Sequence, residues 1–215
     1  MKQCVTNKII ILLALALASI SVHAAGYHVE IIIFENLRPS MDGEISQTLL
    51  TYPDYSNSIE LVGGDETGNP FRLLASGFYK LGGLYNQLKA SGRYRPLLQM
   101  AWQQPALYGD NARYVHILKT GSGDAGSTGD ALVKIDGTIR VRAAQFLHAD
   151  VDLVYFVNAQ PLPTLHATAD TAVPGAPQPA YSRLHESRKM KLNELHYFDH
   201  PLFGMIMHIG RADSE

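Results

Sequence analysis

The stretch from Arg188 to Ile209, with the sequence RKMKLNELHYFDHPLFGMIMHI, decides how the end of this chain folds. A basic run leads into a turn bounded by Pro201, and an apolar segment follows. Proline lacks a backbone N–H and biases the residue before it, His200, toward extended or turn geometry. A continuous helix through this point is therefore disfavoured, and residues 203–209 predict a buried closing strand, which needs a sheet to join.

Apolar and alternating segments upstream predict the other strands of that sheet. Residues 27–34 carry apolar side chains on both faces, which is typical of a central strand. Asp136-Gly137 is a hairpin-turn signal between two short apolar segments. The further predicted strands are residues 94–103, 112–119, 133–135, 138–142 and 146–157.

One helix is predicted over residues 73–91, where apolar side chains recur at helical spacing and Gly92 is a natural stop. Residues 158–180 contain five prolines among Ala, Thr and Gly, and predict a flexible insertion rather than a domain boundary. The predicted fold is a single α+β domain over residues 25–215, with a mostly antiparallel sheet of six or seven strands and one main helix. A second helix within 44–52 would allow a sandwich.

The beginning of the chain has the form of a cleaved secretory signal over residues 1–24. Lys2 and Lys8 make a basic start, and the apolar core that follows is shorter than the roughly 20 residues that cross a bilayer. Val22-His23-Ala24 supplies a cleavage site. Cys4 precedes the apolar core, so it is not placed as a lipoprotein acceptor. The sequence predicts a periplasmic protein whose mature chain has neither a cysteine nor a membrane span.

The composition argues against nucleic acid as a partner. The chain has 18 Lys and Arg against 20 Asp and Glu, and removing Lys2 and Lys8 leaves 16 against 20, a net charge of −4. Nucleic-acid binding depends on neutralising phosphates, for which an acidic protein is poorly suited. The mature chain of about 191 residues is long enough to bury a core without disulfides.

Two clusters have the residue types of a metal site. In the first, alternation places His148, Asp150 and Asp152 on one face of a strand, where they could hold a divalent cation. On a solvated sheet face, however, Arg140 and Arg142 would pair with these aspartates across neighbouring strands. The ion-pair interpretation is preferred.

The second cluster is His196, Asp199 and His200. Two histidines at positions i and i+4 converge on zinc from a helix, and Pro201 argues against a helix here. A structural or surface-recognition turn, a glycan contact and a metal site all remain open for this group. No cofactor is predicted.

Catalytic motifs in the chain are incomplete. Lys119-Thr120-Gly121 spells the strand triad of penicillin-binding enzymes, but no serine has the lysine three residues later that this chemistry needs. The G-x-G-x-x-G match at 121–126 lies in a Gly/Ser/Thr/Asp run without a helix pattern after it, which is typical of a loop. We therefore expect no catalysis. The alternative is a metal-dependent periplasmic hydrolase or metal-binding protein that uses one of the two clusters.

The chain resembles the CsiV-type periplasmic peptidoglycan-binding proteins. Its most specific part is the C-terminal block, in which a basic-basic-Met-basic run precedes Glu-Leu-His-Tyr, then Asp-His-Pro and a glycine. Lys189 and Lys191 stand where arginines are expected, which keeps the charge but loses bidentate geometry. Phe146 stands where a tyrosine is expected. Similar anchors lie at residues 27–34, 92–97, 101–105, 136–139 and 146–148.

The resemblance implies a non-catalytic protein that binds peptidoglycan and supports cell-wall synthesis and cell shape. The implied partners are a class A penicillin-binding synthase and its outer-membrane lipoprotein activator. Sugar faces stack on aromatic rings, and anionic stem peptides suit Arg and Lys donors. The basic run is either a recognition strip for such carboxylates or the charged protection of an edge strand. A scaffold that touches only proteins is a third function class. The candidate contacts are Arg93, Tyr94, Arg95, Trp102, Arg188, Lys189, Lys191, His196 and Tyr197.

The signal pattern makes export testable. N-terminal sequencing of the protein recovered from a periplasmic fraction is expected to begin at Ala25, because small residues precede the predicted cleavage point. A protein that keeps Met1 and stays in the cytoplasm would contradict both export and wall binding.

Overall fold

The computed structural model describes residues 26–39, 53–61, 69–121, 132–161 and 181–212. The predicted signal, the helix predicted within 44–52 and most of the predicted insertion lie outside these ranges. The strand before the insertion continues to Pro161 and so includes the first residues of the stretch 158–180.

Ten strands and one α-helix form the regular structure of the described ranges. Two short 3-10 turns, Ser76–Phe78 and Gly109–Asn111, lie between them. In chain order the elements are β1 (Gly26–Asn36), β2 (Ser58–Ile59), β3 (Arg72–Leu73), α1 (Gly82–Ala90), β4 (Tyr94–Pro105), β5 (Tyr114–Gly121), β6 (Leu132–Ala143), β7 (Leu147–Pro161), β8 (Tyr181–Met190), β9 (Leu195–Asp199) and β10 (Phe203–Arg211).

The strands form two five-stranded sheets. The first sheet has the order β3-β4-β1-β10-β9 and the second has the order β2-β5-β6-β7-β8. All pairs are antiparallel except β2 with β5. β1 is the central strand of the first sheet, as its two-sided apolarity predicts, and the predicted closing strand β10 lies beside it.

The two sheets pack face to face around one core. Val29, Ile31 and Ile33 of β1 point into the space between the sheets and are fully buried there. Each large apolar side chain buried in this way contributes roughly 1.5–3 kcal/mol, so this interface is the main source of stability. The second sheet contributes Val115, Ile117, Ile135, Ile139, Val141, Ala149, Val151 and Leu153 to the same cluster.

The predicted fold class is wrong. The protein is not an α+β domain with one sheet of six or seven strands but a mostly β protein with two sheets. β2 and β3 have two residues each, too few to show alternation in the sequence. Which strands share a sheet depends on long-range pairing, and the pattern along one strand carries no information about it.

The predicted helix over 73–91 is shorter in the structure. Its first half contains the 3-10 turn Ser76–Phe78, and α1 begins only at Gly82. Phe78, one of the apolar residues that recur at helical spacing in this segment, is 60% exposed. Gly92 follows the helix with a φ of 62°, as expected for a stop signal. None of the helices in the described ranges is long and apolar enough to cross a membrane.

Asp136-Gly137 does not form the predicted hairpin turn. β6 runs through both residues and pairs with β5 on one side and β7 on the other. Gly137 has a φ of 152°, and a Cβ at this position would lie 2.1 Å from the carbonyl oxygen of Asp152. The glycine therefore permits a close approach between two strands instead of a turn.

The carboxylate of Glu30 fixes the start of α1 against the outer face of the first sheet. It is completely buried and accepts hydrogen bonds from the backbone N–H groups of Lys80, at 2.6 Å, and Leu81, at 3.1 Å, and from the Gln99 amide, at 2.8 Å. Leu81 is the N-cap position and has no side-chain cap of its own, so Glu30 serves as one. Burial alone would raise the pKa of Glu30, but contacts with His28, Gln99 and the two N–H groups lower it.

Glu30→Gln is expected to remove a pH-dependent part of the stability. Because the pKa of Glu30 is lower in the folded than in the unfolded protein, the carboxylate stabilises the fold above its ordinary pKa of 4.5, and this contribution is lost as the pH falls through the folded value. Urea unfolding should show a loss of about 1–3 kcal/mol at neutral pH. The loss should shrink in acid.

The matched control is Glu194→Gln, which removes an exposed carboxylate paired with Lys191 and should cost little at either pH. Equal destabilisation by Glu30→Gln at neutral and acidic pH would show that the charge of Glu30 does not matter.

Candidate functional site

A groove on the outer face of the first sheet brings three of the predicted ligand residues together. Tyr94 at the start of β4 and His196 and Tyr197 on β9 all line it. The groove has a volume of about 330 Å³. We call it the aromatic groove, and its other lining residues are Phe34 of β1, Leu84 and Leu88 of α1, Leu195 of β9 and Ile206 of β10.

Phe34 holds the two tyrosines of this groove in position. Its ring meets Tyr94 edge-on, with centroids 5.1 Å apart, and stacks on Tyr197 at 6.0 Å with an interplanar angle of 14°. The guanidinium of Arg93 lies 5.6 Å from the centre of the Tyr94 ring. Tyr197 is 44% and Leu195 57% exposed, so the groove presents aromatic and aliphatic surface to solvent.

Gly204 on β10 allows these rings to come together. A Cβ at this position would lie 2.8 Å from Cε2 of Tyr197 and 2.9 Å from Cζ of Phe34. Carbon atoms pack at about 3.5–4.0 Å, so any side chain at position 204 would displace one of the rings. The aromatic groove therefore depends on a residue without a side chain at position 204.

The polar atoms of Tyr197 and His196 bond to residues close to them in sequence. The Tyr197 hydroxyl donates to Oδ1 of Asp199 at 2.5 Å, and burial together with this bond raises the pKa of Tyr197. Nε2 of His196 accepts the backbone N–H of Lys191 at 3.2 Å. A neutral His196 therefore carries its proton on Nδ1.

Arg188, the first residue of the basic run, makes its contacts with other residues of the protein. It lies on β8, the edge strand of the second sheet, and its Nε donates to Glu186 at 2.8 Å. Its Nη1 donates to the carbonyl oxygen of Tyr197 at 2.6 Å, and the guanidinium lies 4.7 Å from the centre of the Phe198 ring. Arg188 thus connects the edge strands of the two sheets.

The other two residues of the basic run lie in different surroundings. Lys189 follows Arg188 on the strand and so points to the opposite face. Its Nζ lies 3.0 Å from the centre of the Phe146 ring. Lys191 pairs with Glu194 at 3.3 Å. The three charges do not share one face, and β8 lies at a sheet edge as the alternative interpretation of this run predicts.

Trp102 and Arg95 make contacts outside the aromatic groove. Trp102 is 0% exposed, and its Nε1 donates to Oε1 of Gln104 at 2.9 Å, so it is a core residue and cannot contact a ligand. Arg95 forms an ion pair with Glu35, which also accepts the hydroxyl of Tyr155 at 2.5 Å.

His196, Asp199 and His200 do not converge on one point. The chain is extended here, and four strand steps put His196 and His200 on the order of 13 Å apart. Nδ1 of His200 accepts the N–H of Leu202 at 3.3 Å, and burial lowers the pKa of His200. Within the described ranges, no group of three or more His, Cys, Asp or Glu residues is placed to hold a metal ion.

His148, Asp150 and Asp152 share the outer face of β7, as the alternation predicts. Oδ2 of Asp150 accepts hydrogen bonds from Nε of Arg140 and Nε of Arg142, both at 2.9 Å. This is the cross-strand pairing that the ion-pair interpretation predicts. His148 is turned toward its own chain, with Nδ1 at 3.1 Å from the carbonyl oxygen of residue 146.

The same outer face carries a second groove, which we call the polar groove. Asp152 accepts bonds from Nε and Nη2 of Arg183, both at 2.7 Å, and lies 3.3 Å from Nδ1 of His185. Ser187 donates to Oδ1 of Asp150 at 2.5 Å. The volume is about 470 Å³, and the lining residues are Asp54, Tyr114, Thr138, Arg140, Asp150, Val151, Asp152, Arg183, His185, Glu186 and Ser187.

His116 on β5 connects the segment 53–61 to the second sheet. This segment supplies Asp54 to the lining of the polar groove. Nε2 of His116 contacts the buried Asp136 at 2.7 Å, and Nδ1 contacts Glu60. The ring also meets Tyr55 edge-on at 5.2 Å. The bond to Asp136 raises the pKa of His116, so the imidazolium persists between two carboxylates to higher pH than in an ordinary histidine.

Sequence reasoning misses much of the lining of both grooves. Phe34 and Ile206 lie on the outer face of the first sheet. The two-sided apolarity of β1 indicates that another element covers this face, but it does not identify that element. In the polar groove, Arg183, His185 and Ser187 alternate with inward residues of β8. That alternation is the signal that could have revealed them.

Comparisons with known proteins bear on the ligand. No curated protein and no solved structure is significantly similar to this chain. A family model described as "Peptidoglycan-binding protein, CsiV" matches residues 6–212, which is nearly the whole sequence and includes both grooves. The chain therefore belongs to the CsiV family of peptidoglycan-binding proteins.

Proposed function

We propose that this protein is a non-catalytic periplasmic protein that binds the glycan strands of peptidoglycan in the aromatic groove. One observation carries the proposal. Tyr94, His196 and Tyr197, from two strands distant in sequence, line a single solvent-open groove in a chain of a peptidoglycan-binding family. Convergence of aromatic and polar groups in a concave site is typical of ligand binding.

The aromatic groove has the surface that a sugar ring needs. The C–H faces of a pyranose are apolar and pack on aromatic rings, while its hydroxyl and N-acetyl groups need polar partners at the rim. Tyr197 offers an exposed ring, and Leu195 beside it extends the apolar surface. The Tyr197 hydroxyl supplies a polar group next to that surface, whereas the side chain of His196 points, like that of Phe198, to the opposite face of β9.

The charge of the lining favours the glycan over the stem peptide as the occupant. The residues that line this groove in the described ranges include no Lys, Arg, Asp or Glu. A charged stem peptide would lose hydration there without gaining ion pairs, whereas an uncharged chain of N-acetylated sugars loses less. The volume of about 330 Å³ is at the lower end of the usual range for ligand sites, which suits a short segment of a long strand.

The wider role in the proposal comes from the family resemblance. It includes support of a class A penicillin-binding synthase and that synthase's outer-membrane lipoprotein activator in cell-wall synthesis and cell shape. The signal pattern at residues 1–24 supports the periplasmic location. The incomplete catalytic motifs, and aspartates such as Asp150 and Asp152 engaged by arginines, support a role in binding rather than catalysis.

Tyr197→Ala is expected to weaken binding to purified peptidoglycan sacculi by roughly tenfold, since loss of one stacking ring costs about 1.4 kcal/mol. Tyr197→Phe keeps the ring and should keep most of the affinity. The measurement is a co-sedimentation titration with sacculi, repeated with a soluble N-acetylglucosamine oligomer as competitor.

Tyr108→Ala is the matched control for this titration. Tyr108 is a tyrosine that is 63% exposed and lies beyond the end of β4 opposite to Tyr94. Its loss should leave sacculus binding unchanged. Wild-type affinity in a folded Tyr197→Ala protein would remove the aromatic groove as the glycan site.

Gly204→Ala is expected to weaken sacculus binding by displacing the ring of Tyr197 or Phe34, although it removes no atom of the groove. Near-UV circular dichroism should report the ring movement, and co-sedimentation should report the affinity. Gly210→Ala is the control, because it lies on the same strand and its added Cβ meets its nearest neighbour at 3.3 Å, a milder contact. If Gly204→Ala alters the near-UV signals but leaves the affinity for sacculi unchanged, the positions of these rings do not determine binding.

A further inference from the structure

We infer that the polar groove on the outer face of the second sheet binds a zwitterionic peptide segment, one that carries both a free ammonium and a free carboxylate. The inference rests on the proposed function only in naming the stem peptide of peptidoglycan as the source of this chemistry. The shape and charges of the polar groove are independent of the aromatic groove.

The lining of the polar groove presents both signs of charge. Asp54, Asp150 and Asp152 supply carboxylates, while Arg140 and Arg183 supply guanidinium groups. A purely anionic ligand would face these three aspartates, and a purely cationic one would face the two guanidinium groups. The fourth acidic residue of the lining, Glu186, is paired with Arg188. A ligand that carries an ammonium and a carboxylate can pair with both sets.

These charges are held in place before a ligand binds. Asp150 is fixed by Arg140, Arg142 and Ser187. Burial alone would raise the pKa of Asp150, but these three bonds lower it, so the group stays ionised at neutral pH. A carboxylate has about four acceptor positions and a guanidinium five N–H donors, so such internal pairs leave capacity for a ligand. Preorganised groups of this kind lose little on binding.

The volume and the polar lining of this groove suit a short peptide. About 470 Å³ lies within the usual range of roughly 300–1,000 Å³ for small-ligand sites. Tyr114 and Ser187 add hydroxyl groups that can bond to peptide N–H and C=O groups. The guanidinium carbon of Arg140 lies 4.4 Å from the centre of the Tyr114 ring, and this cation–π contact restrains the arginine side chain.

The position of the polar groove relates it to the aromatic groove. Arg183, His185 and Ser187 of β8 form part of its lining, while the next strand, β9, carries Leu195, His196 and Tyr197 of the aromatic groove. β8 and β9 are the edge strands of the two sheets. The grooves therefore flank one edge of the sandwich. Glycan and stem peptide are covalently joined in peptidoglycan, so the two grooves suit two parts of one polymer.

Isothermal titration calorimetry with two probes tests this assignment. The probes are the synthetic stem tetrapeptide L-Ala-γ-D-Glu-meso-diaminopimelate-D-Ala and an N-acetylglucosamine tetramer. Arg140→Gln is expected to weaken tetrapeptide binding by roughly tenfold and to leave the sugar unaffected. Tyr197→Ala should do the reverse. A tetrapeptide with acetylated amino and amidated carboxyl groups should not bind.

Arg95→Gln is the matched control for Arg140→Gln. It also removes a guanidinium paired with a carboxylate, that of Glu35, but neither residue lines the polar groove, so its loss should leave tetrapeptide affinity unchanged. If Arg140→Gln does not fold, His185→Ala takes its place, because this side chain is 73% exposed and contributes little to stability. It should weaken tetrapeptide binding in the same direction.

Each outcome separates this inference from the proposed function. A folded wild-type protein that does not bind the tetrapeptide, or binds it equally well after Arg140→Gln, overturns the polar-groove assignment. Equal binding of an all-L Ala-Glu-Lys-Ala peptide supports the zwitterionic chemistry but overturns the stem peptide as its source. Tetrapeptide binding without sugar binding overturns the aromatic groove alone.

Discussion

The buried carboxylate of Glu30 is the contact on which the aromatic groove depends. α1 has only nine residues, and isolated helices of that length are not stable in water. Its position is set by the hydrogen bonds from the N–H groups of Lys80 and Leu81 to Glu30 and by packing of its apolar residues on the sheet. Leu84 and Leu88 of α1 form one wall of the aromatic groove. Because Glu30 on β1 positions α1, this buried carboxylate helps to determine the shape of a groove whose own lining is uncharged.

The outer faces of the two sheets differ in the described ranges, because α1 covers the first, while the second carries charged residues beside the buried apolar pair Val154 and Phe156. The first sheet turns Ile32 and Phe34 outward, and α1 packs on them. The second sheet turns Asp150 and Asp152 outward, and arginines on neighbouring strands neutralise them. Arg188 on β8 bonds to the Tyr197 carbonyl on β9, so the edge strands that carry parts of the two grooves are connected to each other.

Local features of this structure could be predicted from the sequence, and long-range ones could not. The inward and outward faces of β7 follow from strict alternation, and Gly92 ends its helix as expected. Asp136-Gly137 fails as a turn signal because β5 and β7 pair on either side of it, and such pairing overrides a local preference. The convergence of Tyr94 with Tyr197 requires the order β4-β1-β10-β9, which no single segment encodes. Trp102 looks like a sugar platform in sequence, but its position on the inner face of β4 buries it.

Gly204 shows a conflict between two demands on one residue. It lies inside β10, next to the central strand, where a glycine weakens a strand by roughly 0.5–1 kcal/mol relative to alanine. A residue with a side chain would strengthen the strand and at the same time push apart the rings of Phe34 and Tyr197. Displacing the buried Phe34 ring costs about 1–3 kcal/mol, more than the gain in the strand, so the packing of the rings outweighs strand propensity at this position and stabilising substitutions are better sought at other sites.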